Sequence, residues 1–172
     1  MLIDATPLPG YQEPYGLLCG ILQDGTNEWR AELDRNLSDA AVIWQPAPGM
    51  HSIGAILLHI IAVEIFWFEK FALDLPYDAE EMKQLMWDET EVDEWRWPAP
   101  HRKPISWYFE LHDRVRARTL ESIKQWPPAD AVRGDEERQR TMRWVFGHVI
   151  QHEAYHGGQA VLLNGLWRLQ GA

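Results

Sequence analysis

Gly147-His148-Val149-Ile150-Gln151-His152-Glu153-Ala154-Tyr155-His156-Gly157-Gly158-Gln159 sets three histidines at successive intervals of four. On an α-helix, residues four apart are offset by about 40° and by roughly 6 Å along the axis, so they share a face. His148, His152 and His156 therefore form a ladder, and Val145, Val149, Ala160 and Leu163 extend the same stripe. The spacing predicts a helix from about Thr141 to Leu166, weakened in its second half by Gly157, Gly158 and Gly165. His59 meets the same condition elsewhere in the chain. Its helical neighbours Ala55, Ile56, Ala62, Val63 and Phe66 are all apolar, which turns the imidazole into the core. A neutral imidazole there needs a hydrogen-bond partner or a metal ion. Imidazoles from two helices can make a three-ligand site that keeps one coordination position open. His59, His152 and His156 are the candidate ligands of one divalent transition metal.

The rest of the chain supplies three more helical segments. One runs from about Pro14 to Arg35, with Leu18, Ile21, Leu22, Trp29 and Leu33 at helical spacing. A second spans Ile53 to about Leu73, opened by the breaker Pro46-Ala47-Pro48-Gly49 and by Ser52 as N-cap. A third starts near Pro104 and stops before Pro127-Pro128. The acidic connection from Asp74 to Lys103 holds Trp87, Trp95 and Trp97 and predicts a short helix over Ala79 to Trp87. No segment alternates apolar and polar residues for long enough to predict a sheet. The expectation is all-α: a single four-helix bundle with a long crossover between helices two and three.

Composition narrows the function. A chain of 172 residues can bury roughly 70% of its unfolded surface as one domain, so folding needs neither disulfides nor a structural metal. A net charge of -10 without a basic stripe argues against nucleic acid and against anionic membranes. The apolar run Ile53–Phe68 is interrupted by His59 and Glu64, which fits a buried helix rather than a membrane span. Nothing in Met1 to Gly10 resembles a secretory signal, and Cys19 is the only cysteine, so a reducing cytoplasm is the expected compartment.

The remaining polar groups near the ladder have several readings. His148 sits near the start of the helix as a candidate outer support. His112, beside Tyr108, Phe109 and Val115, fits a fourth ligand, a hydrogen-bond donor to a ligand, or a plain core contact. His51 and His101 fall in turns. His152-Glu153-Ala154-Tyr155-His156 also matches the His-Glu-x-x-His signature of zinc peptidases, in which the glutamate deprotonates bound water. That chemistry needs a third ligand further along, and Gly157 to Ala172 contain no Asp, Glu, His or Cys. Glu153 lies about 100° round from His152, within reach of a bound water or out in solvent.

Two stretches carry a family resemblance. Trp44-Gln45-Pro46-Ala47-Pro48-Gly49-Met50-His51-Ser52-Ile53-Gly54, followed by Leu58-His59-Ile60, and the quoted Gly147–Gln159 stretch resemble the DinB/YfiT-like metal-binding four-helix bundles. Tyr155 and Gly157 depart from that pattern, standing where relatives often have histidine and arginine. The resemblance implies His59, His152 and His156 as ligands of a divalent ion, commonly zinc or nickel, and frequent homodimers. It also implies use of low-molecular-weight thiols such as bacillithiol or mycothiol by some relatives, as transferases or isomerases. The preferred expectation is a metal-dependent enzyme that activates a small thiol for transfer to an electrophile, with Gln159 and His148 orienting substrate or ligand. A metal-dependent hydrolase and a non-catalytic binding or stress protein are the alternatives.

Overall fold

The computed structural model describes residues 4–33, 36–92 and 96–170 of the chain. Arg35, the expected end of the first helix, and Trp95 lie outside them. Four long helices dominate: α1 (Tyr15–Glu32), α3 (Ile53–Ile65), α6 (Ile105–Ile123) and α7 (Met142–Gln170). Short helices occupy the connections: α2 (Asp39–Ile43), α4 (Ala79–Gln84) and α5 (Trp87–Val92). Among the described residues, no helix is long and apolar enough to cross a membrane.

Local chemistry explains where these elements begin and break. Ser52 Oγ accepts a hydrogen bond from Ala55 N at 3.3 Å and caps α3, every residue of which is buried. The helix continues as a wider π-helical segment over Phe66–Phe71. Asp78 caps α4 by accepting from Glu80 N and Glu81 N. The single short helix expected over Ala79 to Trp87 is instead two, because Met86 takes a positive φ of 57° between them. The described chain is mostly helical, as an all-α fold requires, and departs from that at one small hairpin. Val132–Arg133 (β1) pairs antiparallel with Arg140–Thr141 (β2), closing a hairpin in which Asp135 accepts from Glu137 N and Arg138 N. A two-residue ladder is too short to leave an alternating pattern in the sequence.

The helix α3 packs against α7 and α6, while α1 packs against α7. Their apolar faces form two clusters. One gathers Trp29, most of α3, Tyr108, Leu111, Ala160 and Leu163; the other gathers Tyr15, Cys19, Phe68, Trp126, Phe146 and Val149. Despite its glycines, α7 runs without interruption from Met142 to Gln170. Gly157 has a packing role there. A Cβ at this position would sit 2.6 Å from Trp29 Cγ, so only glycine lets the indole lie flat on the helix. Gly157→Ala should lower stability by about 1–2 kcal/mol, the overpacking cost less the gain in helix propensity. Urea unfolding of the metal-free protein measures it, and a variant as stable as the parent would refute the contact.

Candidate metal centre

Helix periodicity delivers His59 from α3 and His152 and His156 from α7 to one place. The ring centroids of His59 lie 4.9 Å from those of both His152 and His156, and the latter two are 4.4 Å apart. One nitrogen from each ring falls within 4.8 Å of the other two, and His59 Nε2 is 3.0 Å from His152 Nε2. A tetrahedral ion with metal–nitrogen bonds of about 2.0–2.1 Å needs nitrogens roughly 3.3 Å apart, a separation inside this range. His59 and His156 are buried and His152 half-buried.

The protonation states suit ligation. Burial, reinforced by the neighbouring His156 and His51 rings, pushes His59 down to about 3. Burial together with His156, His59 and His148 pushes His152 down to about 2. Burial also lowers His156, against an upward pull from Gln159. All three rings are neutral near pH 7 and keep a lone pair. His156 Nδ1 donates to Gln159 Oε1 at 2.7 Å, which leaves Nε2 as the free donor atom. His59 Nδ1 is buried and has no partner among the described residues. The donor set and this tautomer arrangement fit a divalent ion that accepts imidazole.

The three rings open onto a cavity of about 520 Å³. His148 and Gln159 line it, as do His51, Phe66, Trp67, Trp87, Trp97 and Tyr155. His51 carried no weight in the sequence, yet its ring stacks at 3.8 Å on Trp97 of the acidic crossover, and Trp97 lies 4.7 Å from His59. Loop hydrogen bonds bring them together. Trp97 N donates to Gly49 O, and Gln45 Nε2 donates to the carbonyls of both Trp97 and Met50. The turn before the Ser52 cap was the one available signal for His51, and the tryptophan-bearing acidic crossover was the signal for Trp97.

Residues 27–160 match the sequence profile of the DinB superfamily. The chain belongs to the DinB superfamily. Metal binding is a known trait of that superfamily, and the matched span includes all three histidines and Gln159. A comparison with curated proteins finds no match.

In this DinB chain, Glu153 and His112 lie away from the three rings. They belong to a second buried cluster, centred on Arg116. Arg116 donates through Nε to Glu64 Oε1 at 2.9 Å, and through Nη2 to Glu64 Oε2 at 2.8 Å and Glu153 Oε2 at 2.5 Å. Its Nη1 donates to Thr26 Oγ1, and its Nη2 is 3.1 Å from His112 Nε2. Thr26 and Trp29 donate to Glu153 Oε1, and Thr119 donates to Glu64. Glu153 is thus neither solvated nor turned toward the cavity, and the peptidase role for it falls. Burial alone would raise Glu64, but the Arg116 charge and hydrogen bonds from His112 and Arg116 hold it well below the usual carboxylate range. Burial opposes the Arg116 charge, but Glu64 and Glu153 outweigh it and raise the group above its ordinary value. The guanidinium fills the space between the carboxylates that a cation would otherwise claim.

Two outcomes follow from these clusters. Arg116→Met leaves two carboxylates buried without their cation and should cost about 3–5 kcal/mol in chemical denaturation; a loss below about 1 kcal/mol would contradict the network. The imidazoles set a pH dependence. Unfolded histidines titrate near 6.5, whereas folded His59 and His152 titrate near 3 and 2, so between these values the unfolded chain binds more protons. Metal-free protein should therefore lose stability as pH falls from about 6.5 toward 5, before carboxylates titrate. His152→Gln should flatten that slope in thermal melts. An unchanged slope would place the protons elsewhere.

Proposed function

We propose that this DinB protein is a metal-dependent enzyme in which His59, His152 and His156 hold one divalent ion, zinc or nickel. Its substrate is a small thiol transferred to an electrophile. In this reading α1, α3, α6 and α7 form a four-helix bundle, with the ion near one end of its interior. One observation carries the proposal: three neutral imidazoles converge at the wall of a roomy cavity. A divalent ion there would lower the pKa of a bound thiol toward neutrality, since uncharged ligands leave its positive charge intact.

The chain's own residues complete the arrangement. Gln159 fixes the His156 tautomer by accepting from Nδ1. His148, whose pKa burial lowers, stands 6.1 Å from His152 between centroids and can accept a proton released in the cavity. The thiol must come from outside. Cys19 is fully buried, and burial pushes its thiol up to about 12. Glu153, committed to Arg116, is not placed to activate a water in the cavity.

Metal content by plasma mass spectrometry should give one equivalent for the parent and little for His59→Ala or His152→Ala. Gln159→Leu should weaken ion affinity by about 10–100-fold. Metal-loaded protein assayed with several thiols and monobromobimane should exceed the metal-free rate. Stoichiometric ion with no rate difference would leave a binding protein instead, and turnover of esters without thiol would select a hydrolase.

A further inference from the structure

The cavity wall beyond the imidazoles has a chemistry of its own. Besides the five histidines, its polar groups among the described residues are Thr90, Gln159, the Tyr155 hydroxyl and the indole N–H groups, all uncharged; Thr90 donates to Met86 O, and Gln159 Oε1 accepts from His156. Among the described residues, no carboxylate, ammonium or guanidinium lines it, in a chain that is 24% charged. The remaining surface is mostly aromatic. Phe66 and Trp87 stack at 5.7 Å and 20°, while Trp67 stands edge-on to Phe66 at 5.0 Å and 84°. Trp67 also meets His148 at 5.0 Å and 73°. The rings thus present faces and edges at right angles, the two approaches by which an aromatic guest gains attraction beyond buried area. A charged group seated there would lose its hydration with no counter-charge to replace it.

From this wall we infer that the cavity takes an uncharged aromatic ring as the part of the substrate lying away from the imidazoles, seated against Phe66, Trp67 and Trp87. The inference rests on the cavity being the substrate site, as proposed above. It assigns specificity to residues on the π-helical segment and on α5, outside the three-histidine set.

Metal-stripped protein tests this without the ion. In titration calorimetry, naphthalenemethanol should bind about tenfold more tightly than naphthoate or naphthylmethylammonium, and more tightly than its fully saturated counterpart. Trp87→Leu and Trp67→Leu should each weaken naphthalenemethanol by about three- to tenfold. Phe66→Leu serves as a third variant should either tryptophan change unfold the chain, which circular dichroism reports. Equal affinity for naphthoate, no heat with any probe, or indifference to the folded variants would overturn the inference. Ion content separates the two readings. Aromatic binding without ion uptake sinks the three-imidazole proposal alone, whereas ion uptake without aromatic preference sinks this one alone.

Discussion

A guanidinium buried among carboxylates is the constraint on which the arrangement of this protein depends. Arg116 on α6 bonds Glu64 on α3 and Glu153 on α7, and reaches Thr26 on α1. Leaving any of these charges without its partner inside the core is costly, so the four long helices have one relative register that satisfies them all. Along each helix the polar member falls between residues of the two apolar clusters: Thr26 between Leu22 and Trp29, and Glu64 between Ile61 and Phe68. Arg116 lies likewise between Val115 and Ile123, and Glu153 between Val149 and Ala160. The same register positions the imidazoles. Glu153 follows His152 directly and Glu64 lies five residues after His59, so each helix points a carboxylate one way and a histidine another. One rotation of α3 and one of α7 satisfy both demands.

What could be read from the sequence, and what could not, divides along physical lines. The long helices and the His59, His152 and His156 faces were legible because helical periodicity ties distant positions to one direction in space. Glu153 was not. An angle of about 100° from His152 is compatible with solvent when α7 is taken alone, and only the presence of α1 and α6 on that side makes it buried. Glu64 was visible as a polar residue in an apolar run, but its partner on α6 is too far along the chain for any local pattern to name. His51 escaped because connections carry no period; loop hydrogen bonds hold it and Trp97, a residue of the tryptophan-bearing crossover, beside the site. The break at Met86 and the two-residue hairpin escaped for the same reason.

The two buried polar groups contrast in what they leave available. Around Arg116 nearly every donor and acceptor is spent on another, and the cluster is closed to solvent. At the imidazoles, His156 is oriented by Gln159, His59 Nδ1 has no partner among the described residues, and the rings line a cavity. A saturated network fixes helices; an unsaturated one beside open space can accept a ligand. Both sit on α3 and α7, so the closed group lends rigidity to the open one.

The crossover between α3 and α6 supplies Trp87, Thr90 and Trp97 to the cavity, while the histidines that face them, apart from His51, stand on long helices. Selection can therefore rewrite the guest without disturbing the ion-binding trio. Changes of length or ring size in this connection alter the wall, and the helices that carry the trio keep their packing. Descendants of such a scaffold would diverge in what they accept long before they diverge in how they are built.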